Sequence, residues 1–321
     1  MKITVILCTY NRCQSLAKTL DSIASSQVPD SINWEVLVVD NNSSDSTRES
    51  VGGFCSRYVG RFRYVFESQP GKSYALNTGI REASGNILVF VDDDVTVAPT
   101  WLQNLTCALH TGEWAGSGGR IILQWPAVLP RWLAIEAPYS RHCFPGFDKG
   151  QKAHALTEPP FGANMAFRRE MFEKYGVFRT DLGPSAIPGI PPHSEDTEFA
   201  RRLIAAGEHL RYEPSAIVYH PVAEGRINKQ YFLKWRFDLG RANVRVFGLR
   251  PGTKWFIAGV PLYLFRGLAK WTARWLFAVE PSRRFSYKVI TREKAGEIVE
   301  CYRQGRTARK RAERDANPVS F

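Results

Sequence analysis

The stretch GNILVFVDDDV (Gly85 to Val95) sets five apolar residues, Ile87 to Val91, directly against three aspartates. A continuous β-branched and aromatic run of this kind reads as a strand buried on both faces, as in a parallel sheet. Asp92, Asp93 and Asp94 at its end repel one another, and removing them from water is costly unless positive charge sits among them. A solvated turn is the plain reading of one or two such acids. Three in a row favour a bound cation.

Outward from this strand, the first third of the chain alternates strands and helices. ITVILCTY is strand-like, and RCQSLAKTLDSIASS carries Leu16, Leu20 and Ile23 at helical spacing. WEVLVVDNNSSD is a second buried strand ending in a polar loop, FRYVFES a third strand, and SYALNTGIREAS a helix. Strands separated by helices of this length imply an α/β fold with a doubly wound, mostly parallel sheet flanked by helices. In such sheets ligands bind outside the carboxyl ends of the strands. The polar runs CTYNR, DNNSSD and DDD therefore converge on one crevice.

From about Trp101 to Pro192 the pattern is rich in Gly, Pro and aromatics and reads as loops shaping a pocket. HSEDTEFARRLIAAG is then a clear helix, with Ser194 as its cap, Phe199, Leu203 and Ile204 on its apolar face and Gly207 as its stop. SAIVYHP reads as a short strand ended by Pro221.

Six scattered cysteines without a C-x-x-C pair suit reduced thiols in a cytosol, not a disulfide framework or a zinc site. The apolar run at the N-terminus is too short for a signal peptide. Charge is uneven: residues 226–321 hold 22 Lys and Arg against 7 Asp and Glu, net +15, whereas residues 1–225 hold 21 against 24, net −3. A basic last third suggests contact with an anionic surface.

Seven blocks, VILCTYNR, VVDNNSSD, PGKSYALNTGI, FVDDDV, FGANMAFRREMF, SEDTEFARRLIAAG and VYHP, resemble in order and spacing the family 2 glycosyltransferases of the GT-A fold. The resemblance covers roughly residues 1–250. It implies an inverting, metal-dependent transfer of sugar from a nucleotide diphosphate, a UDP-sugar above all, to a hydroxyl of a glycan or lipid-linked glycan. It also implies a catalytic domain over 1–225, with a nucleotide-binding half at about 1–98 and an acceptor half at about 99–225, followed by a basic helical extension over 226–321.

By this resemblance the D-x-D motif is Asp92 and Asp94. Asp94 binds Mn²⁺ or Mg²⁺, Asp92 touches the ribose, the metal or both, and Asp93 lies near the donor sugar. Oxygen ligands suit both ions. Asp40 accepts the uracil N3–H, or else forms an Asx turn. Thr9, Tyr10 and Arg12 wrap base and phosphates, with Arg12 alternatively a surface helix-start residue. Lys72 reaches a phosphate as a point charge, or is a solvated loop lysine, and Asn77 caps or packs.

Asp196 matches the family's catalytic base, with Glu195 orienting the acceptor or tuning its neighbour; alternatively the pair only complements a helix dipole. His220 is a metal-binding imidazole in some members and otherwise structural.

In RGLAKWTARW, Arg266, Lys270 and Arg274 share one helix face beside Trp271 and Trp275, as expected of a helix at an anionic membrane interface on the cytoplasmic side. The alternative is a helix packed on the catalytic domain. Nucleic acid is not expected, since no recognisable module accompanies the charge. Rival readings are a sugar nucleotidyltransferase, for which LCTYNRCQS lacks the glycine-rich phosphate loop, and a non-catalytic membrane- or nucleic-acid-binding protein with a degenerate nucleotide pocket.

Overall fold

The structure, a computed structural model, describes residues 2–126, 128–130, 133 and 143–316, with side chains as far as residue 307. It divides into two compact units: Met1–Trp125 with Phe144–Ile190 and Glu195–Val222, and Pro126–Cys143 with Pro191–Ser194 and Ala223–Phe321.

The strands of the first unit are β1 (Lys2–Thr9), β2 (Asn33–Asp40), β3 (Phe62–Phe66), β4 (Ile87–Val91), β5 (Thr96–Val97), β6 (Gly116–Gln124), β7 (His154–Ala155), β8 (Met165–Arg168) and β9 (Leu210–Pro221). Its helices are α1 (Cys13–Ala24), α2 (Thr47–Arg57), α3 (Lys72–Glu82), α4 (Trp101–Thr106), α5 (Arg169–Tyr175) and α6 (Glu195–Ala205). One sheet runs β3-β2-β1-β4-β8-β6-β9-β5, with β7 paired to β9. β3, β2, β1 and β4 are parallel, β8 runs antiparallel to β4 and β6, and β9 is parallel to β6. All five residues of β4 are buried, and each such apolar side chain contributes about 1.5–3 kcal/mol. Leu16, Leu20 and Ile23 of α1 are buried at the spacing read from the sequence.

The region expected to be loops holds β6 and β8, and the glycines of GSGG explain why it reads otherwise. A Cβ on Gly116 would lie 2.4 Å from the Phe167 ring, on Gly118 2.4 Å from Pro160, and on Gly119 2.3 Å from Asn164. These are strand residues without side chains because their neighbours occupy the space.

β9 begins at Leu210, earlier than the short strand expected, and contains Pro214. Its register against β6 jumps from Gly119 opposite Glu213 to Arg120 opposite Ile217. The resulting bulge absorbs the proline, which cannot donate to a ladder. Buried Asn164 fills the irregularity. Its Nδ2 donates to the Arg120 and Ala216 carbonyls at 3.0 and 2.8 Å, and its Oδ1 accepts from Trp101 Nε1 at 2.8 Å.

The second unit contains α7 (Lys229–Phe247), the hairpin β10 (Phe256–Ile257) and β11 (Val260–Pro261), α8 (Leu262–Phe277) and α9 (Pro281–Ala316). α9 packs on both α7 and α8. At the crossing with α7, a Cβ on Gly240 would meet the Glu293 carbonyl at 2.1 Å and one on Gly296 the Phe237 carbonyl at 2.0 Å, so only glycines admit this backbone approach. Beside the crossing Glu300 accepts from Arg241 Nε at 3.2 Å and Arg245 Nε at 2.6 Å, and Arg236 pairs with Glu293 at 3.0 Å. No helix among the described residues is long and apolar enough to cross a membrane.

Candidate active site

The parallel register sets the strand ends level. Thr9 stands opposite Asp40, and Leu7 opposite Val91, so Asp92–Asp94 follow beside the end of β1. The aspartates turn the chain into β5, whose Thr96 pairs with Tyr219 of β9. The next residue, His220, lies in the buried phase of β9. Ligand atoms of Asp92, Asp94 and His220 thereby come within 4.8 Å of one another.

This donor set fits a divalent cation. His220 Nε2 lies 3.6 Å from Asp94 Oδ1, while Nδ1 is 3.0 Å from the Pro221 carbonyl oxygen. With Nδ1–H donating to that carbonyl, the Nε2 lone pair faces the carboxylate, the arrangement a metal-binding imidazole needs. Carboxylates with one imidazole suit a manganese-type ion.

The protein's own cations sit on the same acids. Arg12 Nη1 is 2.9 Å from Asp93 Oδ1 and 2.9 Å from Asp94 Oδ2. Lys72 Nζ is 2.6 Å from Asp92 Oδ1 and 3.7 Å from Glu195 Oε1. Expected at phosphates or, alternatively, at a helix start and in a solvated loop, the two side chains here pair with carboxylates. Burial alone would raise Asp92, yet Lys72 holds it below the usual carboxylate range, and Asp92 and Glu195 hold Lys72 well above its ordinary value against the same burial. Asp93, buried and beside Asp94, is pushed up despite Arg12.

α3 brings Lys72 to this place through Gly71, whose φ of 140° favours glycine. The Gly71 N–H donates to Asn41 Oδ1 at 2.7 Å, and Lys72 N–H to the Pro184 carbonyl at 2.7 Å.

Glu195 and Asp196 open α6. Ser194, the expected cap, has φ 75°, outside the extended geometry of a capping residue. The first turn is instead served by Asp196, whose Oδ1 accepts from Thr197 N–H at 2.6 Å. Its Oδ2 accepts from Gly162 N–H at 2.5 Å. Burial and Asp196 push buried Glu195 up to about 7 against the pull of Lys72. Lys72, Asp92, Glu195 and Asp196 line one small cavity with Cys8 and Gly162.

Asp40 is buried; its Oδ1 accepts from Ser43 N–H at 2.9 Å and its Oδ2 from Tyr64 Oη at 2.8 Å. The bond to Ser43 reaches three residues on, one further than an Asx turn closes, and a carboxylate so bonded retains acceptor capacity. Buried Thr9 ends β1, and Tyr10 beside it is 55% exposed. Asn77 holds the 178 loop, with Nδ2 donating to the Phe178 carbonyl at 2.9 Å and Oδ1 accepting from its N–H at 3.0 Å.

Several positioning residues escaped the sequence reading. Asn11 Oδ1 accepts from Ser44 N–H at 2.7 Å and Asp45 Oδ2 from Cys13 N–H at 3.0 Å, which fastens the β1–α1 loop to the β2–α2 loop. Asn41 links the end of β2 to the loop before α3. Asn-rich runs beside strand ends are the signal that could have found them.

The sheet, its switch-point crevice and the acidic cluster define a GT-A glycosyltransferase fold. The family model "Glycosyl transferase family 2" matches residues 4–176. The succinoglycan biosynthesis protein ExoM of Rhizobium meliloti is 30% identical over 265 residues, 81% of each chain. The glucosyl-dolichyl phosphate glucuronosyltransferase of Haloferax volcanii is 26% identical over 232 residues, 70% of this chain and 71% of its own. A mannosyltransferase from Pyrobaculum calidifontis, solved with GDP-Man and Mn²⁺, superposes with a TM-score of 0.56 at 21% identity, over 99% of this chain and 76% of its own. The chain belongs to glycosyl transferase family 2 and is a transferase enzyme.

Proposed function

We propose that the enzyme moves a sugar from a UDP-sugar to a hydroxyl of a glycan or lipid-linked glycan, with inversion and with Mn²⁺ or Mg²⁺. The observation that carries this reading is the meeting of two acidic groups, Asp92–Asp94 with His220 and Glu195–Asp196, through Lys72 in one crevice. Asp94, His220 and Asp92 would hold the ion. When bound, it would offset the charge that grows on the diphosphate as the sugar leaves.

The chain's own residues supply the rest. Asp40 accepts the uracil N3–H, and Thr9 and Tyr10 flank the base. Arg12 and Lys72, released from their carboxylates, meet the phosphates, and Asp93 lies beside the donor sugar. Asp196 takes the proton of the acceptor hydroxyl. The acceptor oxygen bonds to the anomeric carbon, the bond from that carbon to the phosphate oxygen breaks, and its electron pair departs on the diphosphate. A single displacement of this kind inverts the anomeric centre. Glu195 orients the acceptor or sets the charge beside the base.

The names of the Rhizobium and Haloferax relatives favour polysaccharide or polyprenyl-phosphate acceptors. Such an acceptor puts the reaction at an anionic membrane, and the free cysteines suit its cytoplasmic face.

Nucleotide sugars screened for thermal stabilisation, with and without Mn²⁺, identify the donor. Asp196→Asn should bind that donor with near-normal affinity while turnover falls about 10²-fold. Normal turnover, or lost donor binding, contradicts the assignment.

A further inference from the structure

Arg250 to Val279 contains five cations, Arg250, Lys254, Arg266, Lys270 and Arg274, and no Asp or Glu. α8 occupies Leu262–Phe277 of this stretch, about 24 Å at about 1.5 Å per residue. Arg266, Lys270 and Arg274 are exposed along it, and Phe277, three turns beyond Arg266, lies on the same open face, 84% exposed. Before α8 the hairpin exposes Trp255 (75%), Phe256 and Ile257; after it stands Val279 (96%), with exposed Leu276 in its last turn.

The tryptophans expected to insert do something else. Trp271 and Trp275 are half-buried. The Trp271 ring lies 5.7 Å from that of Tyr287, with Arg274 stacked 4.8 Å over it, and Lys288 sits 5.2 Å over Trp275. They fasten α8 to α9, and the side of α8 away from α9 stays open, with Lys270 (5.7 Å from the Trp271 ring) and Arg274 flanking Trp271 yet exposed.

We propose that the open face of α8 lies on an anionic bilayer, with Arg266, Lys270 and Arg274 at the headgroups and the apolar residues at its two ends, Trp255 to Ile257 and Leu276 to Val279, entering the acyl boundary. The absence of acids fits a uniformly negative partner. Aliphatic side chains such as Ile257, Leu276 and Val279 find nothing apolar to bury against on a phosphate backbone, whereas acyl chains accept them. A second copy docked isologously would set the three cations against themselves. The surface gives the membrane reading above its contacting residues. It does not depend on the donor chemistry.

The test is cosedimentation of the full chain with phosphatidylcholine vesicles, with and without phosphatidylglycerol. Wild type should partition onto the anionic vesicles. Replacing Arg266→Gln, Lys270→Gln and Arg274→Gln together should weaken partitioning roughly a hundredfold. Trp255→Ser with Phe277→Ser should leave binding that salt removes completely, and Trp271→Phe should change nothing in partitioning. Circular dichroism melts verify folding of each variant. Equal partitioning onto neutral and anionic vesicles, none onto either, or dependence on Trp271 rather than on the stripe overturns the proposal. So does a stripe required only for self-association or polynucleotide binding. No substrate enters the assay, so any of these results leaves the transferase reading standing.

Discussion

The two compact units treat ionic groups in opposite ways. Around the crevice of the first, Asp92, Asp93, Asp94, Glu195 and Asp196 face only Arg12 and Lys72 among the paired cations described there, a formal deficit of three positive charges. In the second, the arginines Arg236, Arg241 and Arg245 meet Asp238, Glu293 and Glu300 three against three, with the exposed Lys234 also on Asp238. The balanced set locks a helix crossing. The unbalanced set has its cations on carboxylates that a metal ion could also hold, and protonation of Glu195 relieves part of the excess. Buried charge that closes on itself is architecture; buried charge left short of its counterpart indicates a ligand.

The largest expected effect breaks the first half of this contrast. Asp94→Asn removes an acid shared by Arg12 and His220. Transfer should fall to background, and calorimetric nucleotide binding should lose its Mn²⁺ dependence. Wild-type activity in the presence of a chelator would refute a metal role. Next comes the other half. Glu300→Gln removes the charge that Arg245 and Arg241 share, leaving Arg241 its pair with Asp238 at 3.3 Å, at a site where Glu300 is 1% exposed. Breaking one side of a buried ion pair costs about 3 kcal/mol, so chemical denaturation should show a loss of that order with nucleotide binding unchanged. Unaltered stability would mean that the second unit's pairing is incidental.

How much of this was legible in the sequence depends on whether a residue acts locally. β1, β2 and β4 were readable because strands buried on both faces need no partner to declare themselves, and the acids at their ends inherit that placement. His220 carries two readings in the sequence, metal ligand or structural histidine, and β9 puts it in the buried phase beside Asp94. The GSGG strand was not readable, since its glycines answer to Phe167, Pro160 and Asn164, none of them local. Asn164 has no local partner that would mark it; its hydrogen bonds arise from the bulge beside Pro214 on a strand far along the chain. Gly240 and Gly296 likewise answer to a distant backbone, each lying against a carbonyl of the other helix. Arg12 and Lys72 carry two readings each in the sequence, a phosphate partner or a solvated surface position, and neither names the carboxylates they pair with here, because those lie far off in the chain.

Arg12 gives the smallest and most discriminating prediction. Its single Nη1 stands 2.9 Å from one oxygen of Asp93 and 2.9 Å from one of Asp94, so it neutralises an acid that a metal ion would also neutralise. An arriving cation and the guanidinium are then competitors. Arg12→Gln removes the competitor without adding charge, and Mn²⁺ binding in the absence of nucleotide, followed by electron paramagnetic resonance, should tighten. The guanidinium side chain is 42% exposed, and pairs open to solvent contribute at most about 1 kcal/mol, which corresponds to roughly a fivefold gain in affinity. Nucleotide affinity with metal present should move the other way, since the guanidinium displaced by the ion is then available to the diphosphate. The two opposed signs separate this account from a structural one. If Arg12 merely held the Asp93–Asp94 turn in shape, both affinities would fall together, and the shortage of positive charge in the first unit would have to be met by Lys72 alone.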